Sequence, residues 1–323
     1  MTVFEEQENS LDKQTLSKEQ QEASMSLTNR GFKELPTSVE KLEIVLNPAS
    51  KIWKTLKENI LLRGTTPKYP IGLKALDDIL WGLHKQEILV IGGRPGQGKS
   101  CLAIHMTRRL VEQKQRVIFF SLEMSKEQLL ERLLCNVCRI DGTDLRRGRA
   151  KDRVDEAESV FLDWLSLTKL LIDDRYGYSF ENIVKVCDII HPDFIILDYI
   201  QMISIKGFRS KLDAIEEYVR KIKELSKINN FGVILISQIN RGGADNPTMD
   251  KLKHAGVLEE HPENVLTLNW KYEDGRYKYE ASVEKQRHGE TGKAELRFLP
   301  RFSSFEDIRE TSDEIGIKRQ DLE

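Results

Sequence analysis

Residues 93–100 read Gly-Arg-Pro-Gly-Gln-Gly-Lys-Ser and follow the apolar run Ile88-Leu-Val-Ile91 after a single glycine, Gly92. This is the G-x-x-x-x-G-K-[ST] phosphate loop, with a strand entering it and a helix leaving. The glycines let the backbone turn tightly, so its N–H groups converge on phosphate oxygens without Cβ obstruction. The candidate nucleotide-binding set is Gly93, Arg94, Pro95, Gly96, Gln97, Gly98, Lys99, Ser100 and Cys101. Lys99 supplies a point charge for the β- and γ-phosphates of ATP, and Ser100 a hydroxyl ligand for Mg²⁺. The helix that begins here turns its positive dipole end toward the same anion. The alternative, a glycine-rich surface turn, needs neither a complete motif nor a strand and a helix on either side.

From Pro70 onward the chain alternates between strand and helix patterns. Ile88–Gly92, Arg116–Ser121, Leu170–Asp173, Phe194–Asp198 and Val233–Ser237 are short apolar runs of the kind that fill buried parallel strands. Helical patterns separate them at about 99–113, 125–138, 154–167, 179–190 and 211–229. That order predicts an α/β fold with a doubly wound, mainly parallel sheet. Val265–Trp270 and Tyr277–Glu284 flank Glu273-Asp-Gly275 and predict an antiparallel hairpin extending the sheet.

The ends read differently. Residues 1–43 are polar and charged, the composition of a tail or loosely held helix, and residues 307–323 form a second charged tail. Between tail and sheet, residues 44–66 hold an amphipathic linker helix in which Ile52, Leu56 and Ile60 recur every four residues beside Trp53. Such a stripe has to bury itself on its own domain or on a neighbouring subunit. The ATPase domain is expected over 67–306.

Composition excludes some functions. A net charge of −2 gives no global field for nucleic acid, so any such binding rests on local patches or on a ring of copies. There is no run of about 18 apolar residues to span a membrane, and the acidic, Gln-rich start is unlike a signal peptide. A cytoplasmic protein is expected. Cys135-Asn-Val-Cys138 has the spacing of a metal or redox pair. It lies in a helical pattern without a second pair at zinc spacing, so it reads as a pair of buried helix cysteines; the other two cysteines are Cys101 and Cys187.

Three strand ends carry the candidate chemistry. Phe194-Ile-Ile-Leu-Asp198 ends in a carboxylate suited to organising Mg²⁺ with Ser100. Phe119-Phe-Ser-Leu-Glu123 ends in a second one, either a base for the attacking water or an acid at a helix N-terminus. Val233-Ile-Leu-Ile-Ser-Gln238-Ile-Asn240 ends in amides that can hydrogen-bond the γ-phosphate, or simply turn the chain. Lys285 and Arg287, at the far end of the hairpin, are either a solvated tip or a cation pair for the phosphates of another subunit.

Taken together, these segments resemble the C-terminal ATPase domain of the DnaB-type replicative DNA helicases, within the RecA-like superfamily. The likeness covers residues 68–306 and is carried by 93–100, Phe120-Ser-Leu-Glu-Met-Ser125, Ile196-Leu-Asp-Tyr-Ile-Gln-Met202, Leu235-Ile-Ser-Gln-Ile-Asn-Arg241 and Lys285-Gln-Arg-His-Gly289. It implies that Lys99, Ser100 and Asp198 hold Mg-ATP, that Glu123 activates water and that Gln238 senses the γ-phosphate. It implies that Lys285 and Arg287 act as a finger pair across a hexamer interface. It also implies a pore for single-stranded DNA, touched by Lys206, Arg209 and Lys211 after Gln201, and by Arg241, Lys251 and Lys253 after Asn240. Primase, polymerase or a helicase loader are the implied partners, in a bacterial or phage-infected cell.

Two segments depart from the family pattern. Only about 45 polar residues precede the amphipathic helix, where the family usually carries a helical N-terminal domain. Gly256-Val-Leu-Glu-Glu-His-Pro-Glu-Asn264 replaces a more polar, Asp-rich stretch. The competing functions are a filament-forming recombination ATPase and a non-motor, ATP-regulated replication accessory protein.

Overall fold

The computed structural model describes residues 49–61, 68–175, 179–198, 210–238, 260–273 and 276–308. The chain divides into two units, residues 1–66 and 67–323. In the first, the described residues are helix α1 (Ala49–Leu61), on which Ile52, Trp53, Leu56 and Ile60 are all exposed within this one chain. The expected polar tail, residues 1–43, lies outside the described residues.

In the second unit the order is α2 (Lys74–Leu80), β1 (Ile88–Gly93), α3 (Lys99–Glu112), β2 (Arg116–Ser121), α4 (Lys126–Cys138), α5 (Gly142–Arg146), α6 (Lys151–Leu167) and β3 (Lys169–Asp173). Then come α7 (Phe180–Ile190), β4 (Phe194–Asp198), α8 (Lys211–Asn229), β5 (Gly232–Gln238), β6 (Asn264–Glu273), β7 (Arg276–Gln286), β8 (Gly292–Leu299) and β9 (Ser304–Asp307). They build one nine-stranded sheet in the order β3-β2-β4-β5-β1-β6-β7-β8-β9. Strands β3 through β6 in that order are parallel, and β6 to β9 continue as an antiparallel meander. Glu273 faces Arg276 across the Asp-Gly dipeptide, so the hairpin turns where the sequence predicts.

The period-2 geometry of a strand sorts its side chains between two cores. Leu89 and Ile91, Val117 and Phe119, and Ile234 and Ile236 enter one face with α2, α3 and α4. Ile88 and Val90, Ile118 and Phe120, and Val233 and Leu235 enter the other, with α7 and α8. Burial on both faces is why these strands are unbroken apolar runs. Past β6, Ala281, Val283, Ala294 and Leu296 continue the first core, and β8 alternates buried Ala294 and Leu296 with exposed Lys293 and Glu295. Helix starts follow local chemistry. Ser125 and Gln128 form a capping box on α4, and the hydroxyls of Ser179 and Ser210 accept the Asn182 and Asp213 N–H groups at 3.4 and 3.1 Å. Cys101, Cys135 and Cys187 are buried helix residues and Cys138 is half-buried.

The C-terminal strand extends through Asp307, one residue into the segment expected to be tail. Its carboxylate accepts the Lys74 and Ala75 N–H groups at 2.6 and 2.9 Å, satisfying the start of α2.

Gly232 begins β5 where Phe194 of β4 crosses it. A Cβ there would stand 2.3 Å from the Phe194 ring and 2.7 Å from the His84 carbonyl oxygen. Gly232→Ala is therefore expected to destabilise by about 1–3 kcal/mol, the scale of core overpacking. Urea unfolding checks this, and an unchanged midpoint would contradict the packing described.

Candidate active site

Strand β1 delivers the phosphate loop to the carboxyl ends of the parallel strands, where open α/β sheets place their ligands. Gly96 and Gly98 both adopt φ +81°. Gly98 is required twice over, because a Cβ there would also lie 2.9 Å from the Phe305 ring. Beneath the loop, Phe298 and Phe305 stack with ring centres 4.6 Å apart. Buried Gln97 accepts the Arg94 N–H and donates to Asn269 Oδ1 at 3.3 Å, so β6 braces the loop from the side. Lys99 Nζ donates to the Arg94 carbonyl oxygen at 2.9 Å. Burial lowers its pKa, and the nearby Asp198 and Glu123 carboxylates oppose that shift.

Asp198, the last residue of β4, is 1% exposed, and neither of its carboxylate oxygens has a hydrogen-bond partner of good geometry among the described residues. Burial pushes its pKa up to about 6. Ser100, Lys99 and Arg132 pull against that shift, and Glu123 adds to it. A buried carboxylate left without a partner is costly, and a bound cation is the ordinary remedy. With a hydroxyl beside it, the donor set is all oxygen and suits a hard ion such as Mg²⁺.

Glu123 follows β2 in a turn pinned on several sides. Leu122 N donates to the Asp198 carbonyl oxygen at 2.8 Å, Ser121 Oγ to the Met124 carbonyl oxygen at 2.7 Å, and Lys126 N to Asp174 Oδ2 at 2.9 Å. The helix-terminus work falls to Ser125 as cap and to Glu127 in the first turn, leaving exposed Glu123 facing the cleft. Gln238, at the end of β5, pairs in register with Gly93 and lines the same cleft. Lys99, Ser100, Glu123, Asp198 and Gln238, collected from four strand ends, thus surround one cavity of about 570 Å³.

Other lining residues carried little warning in the sequence. Arg132 sits on α4 among Leu129, Leu133 and Asn136, all buried, and a cation on that stripe was the available signal. Phe298 comes from the end of β8, and Pro300, Arg301 and Ser303 from the strap between β8 and β9. Long-range ties hold that strap: Asn136 Nδ2 to the Ser303 carbonyl oxygen at 2.8 Å, Arg139 to Glu306, and Arg301 to Asp141 at 3.6 Å.

Lys285 and Arg287 do not join the cleft. Gln286 pairs with Asn264, and Asn264 with Leu89, so the pair lies at the amino-terminal edge of the parallel strands. The phosphate loop is at the other edge, with the length of β1 between, about 15 Å at ~3.3 Å per residue. A β-bulge leaves Glu284 unpaired and re-aims the strand just before Lys285. Lys206, Arg209, Arg241, Lys251 and Lys253 lie outside the described residues. Lys211 begins α8, and its side chain is likewise outside them. None of the described helices is long and apolar enough to cross a membrane.

The comparisons with known proteins agree on one family. Residues 69–307 match the model for the DnaB-like helicase C terminal domain. The Bacillus subtilis replicative DNA helicase DnaC is 26% identical over 275 residues, 79% of this chain and 60% of that protein. A probable plasmid replicative DNA helicase of Chlamydia trachomatis is 30% identical over 254 residues, 75% of this chain and 55% of that protein. The chain thus spans a little over half the length of the curated relatives it matches. Among solved structures, an isolated ATPase domain superposes with a TM-score of 0.75 at 22% identity, covering 82% of this chain and all of that one. A DnaB-like replicative helicase, described with its interactions with primase, superposes with a TM-score of 0.71 at 20% identity, covering 93% of this chain and 76% of that one. Those likenesses establish the RecA-like fold, and the family match over most of the sequence settles membership: this chain belongs to the DnaB-like helicase C-terminal domain family.

Proposed function

We propose that this chain is the motor of an ATP-driven DNA helicase, working as a ring of copies on single-stranded DNA during replication. The observation that carries the reading is the division of the catalytic groups between the two edges of one sheet. Phosphate loop, carboxylates and Gln238 meet at one edge, and Arg287 stands at the other, out of reach of its own loop. A complete site then needs a second copy, whose Arg287 and Lys285 stabilise the charge that develops on the transferring phosphoryl group.

Within the cleft, the loop N–H groups and Lys99 bind the β- and γ-phosphates. Ser100 and Asp198 would hold Mg²⁺, which neutralises charge shared by those phosphates. Glu123 accepts a proton from the attacking water, and Gln238 hydrogen-bonds the γ-phosphate and responds to its loss. The DNA-contact candidates follow these groups closely in sequence. Residues 199–209 leave directly from Asp198, and residues 239–259 directly from Gln238. A few cations per subunit suffice when several copies encircle one strand, which reconciles DNA binding with a net charge of −2. The exposed stripe of α1 is the proposed seat for a neighbouring subunit, and primase, polymerase or a loader the further partners. Filament-forming recombination and non-motor assembly are the weaker readings, because the matched relatives are named replicative helicases.

ATPase assays with and without single-stranded DNA, and unwinding of forked duplexes with either tail, test the reading. Lys99→Ala is expected to abolish hydrolysis and weaken nucleotide binding. Glu123→Gln is expected to keep ATP bound while turnover falls by about 10² or more. Normal turnover in Glu123→Gln would show that another group activates water.

Asp198→Asn separates stability from function. With its pKa raised, Asp198 in its ionised form works against the folded state above about pH 6. Metal-free Asp198→Asn is therefore expected to be more stable at pH 7.5 by ~1–3 kcal/mol while losing hydrolysis. The gain should shrink as pH falls from about 6 and vanish below 3.8, where the carboxyl is protonated in folded and unfolded states alike. Melting curves in EDTA across this range check both sign and pH window. A destabilised variant at pH 7.5 would contradict the unpartnered carboxylate.

A further inference from the structure

Glu263 immediately precedes β6, and its side chain is 5% exposed although it lies far from the nucleotide cleft. Its Oε2 accepts the Ile88 N–H at 3.0 Å and pairs with the Lys223 ammonium of α8. Its Oε1 faces Arg287 Nη1 at 3.7 Å, and its main-chain oxygen accepts the Arg287 N–H at 3.1 Å. Arg287 Nη2 also donates to the Glu260 carbonyl oxygen at 2.8 Å. Arg287 is therefore tied to one short segment through both its backbone and its guanidinium, although its side chain is 47% exposed.

A carboxylate this buried would be expensive without its two cations and its N–H donor. Pairing with Lys223 and capping the start of β1 would satisfy a purely architectural role. Neither needs the third partner. The 3.7 Å separation is an ion pair without a hydrogen bond, so the guanidinium keeps donors for an incoming phosphate while losing rotamer freedom. The β-bulge at Glu284 sets the chain on course for this contact.

We infer that Glu263 is a positioning residue for Arg287: it holds the guanidinium pre-organised at the subunit edge for the phosphates of a neighbouring copy. The inference rests on the trans-acting role of Arg287 proposed above and adds the group that sets its geometry. Pre-organisation of this kind is worth most in the transition state, so its loss falls on kcat rather than on ATP binding.

The test is a double-mutant cycle on the full chain, reading steady-state ATPase with single-stranded DNA. Glu263→Gln keeps the shape and an acceptor for Ile88 but removes the charge. It is expected to lower kcat by about 10- to 100-fold, the scale of a small misplacement, with KM for ATP little changed. Glu263→Asp, which retains the charge, should fall between Glu263→Gln and wild type. In an Arg287→Ala background Glu263→Gln should cost nothing further. An equal additional loss in that background, a change confined to KM, or normal turnover in Glu263→Gln would each overturn the inference. If Glu263→Gln does not fold, Glu263→Asp serves in the same cycle with the same criteria. Arg287→Ala alone distinguishes the two levels. Wild-type turnover there removes the trans-acting reading and this inference with it, whereas slow Arg287→Ala with silent Glu263→Gln removes only the inference.

Discussion

The structure depends on a charge placed where it is least comfortable. Asp198 ends a fully buried strand with neither carboxylate oxygen in a hydrogen bond of good geometry among the described residues, beside the Ser100 hydroxyl and a lysine whose own ammonium is desolvated. Neither group is there for stability. The parallel sheet, packed on both faces, is rigid enough to hold them against their preference for water. On the proposed reading the arrangement gains a site whose dipoles and charges need no reorganisation when phosphate and cation enter. The glycine turns, the Gln97 brace to Asn269 and the stacked Phe298 and Phe305 beneath Gly98 all restrict how that loop can move.

On the proposed reading the sheet has two functional edges. The carboxyl edge of the parallel strands collects Lys99, Glu123, Asp198 and Gln238. The antiparallel extension reverses direction at Glu273 and brings Lys285 and Arg287 back to the amino edge. Within one chain Arg287 is exposed at that edge and Lys285 half-buried. On the proposed reading the topology makes each subunit carry half of two sites, so hydrolysis depends on assembly. Glu263 then joins the base of β1, helix α8 and Arg287 at one point, linking the strand that bears the phosphate loop to the groups offered to a neighbour.

Much of this was legible in the sequence, for identifiable reasons. Strands buried on both faces become apolar runs, so β1, β2, β4 and β5 could be read directly. Their ends carried Glu123, Asp198 and Gln238, and strand ends on one edge of a sheet converge by construction. Ser125 marked a helix start through its own chemistry. Other features were hidden because their meaning is long-range. Arg132 is one of several helix cations in the sequence, and only the tertiary structure places it on the cleft beside Glu131 and Cys135. The strap from Phe298 to Asp307 has no periodicity, and its place depends on Asn136, Arg139 and the N-terminus of α2. Glu263 looked like one acid among several, and only tertiary packing brings Lys223, Ile88 and Arg287 to it.

Whether Arg287 acts on a neighbour's nucleotide is tested directly by subunit mixing. Arg287→Ala subunits keep an intact phosphate loop, and Lys99→Ala subunits keep an intact arginine. Each alone should hydrolyse poorly, but an Arg287→Ala loop facing a Lys99→Ala finger forms one repaired site. With subunit exchange established by fluorescence transfer between labelled copies, activity should rise with mixing ratio, well above either parent if the finger is worth about 10³ to 10⁵ in turnover. No recovery at any ratio, with exchange confirmed, would contradict a site shared between subunits.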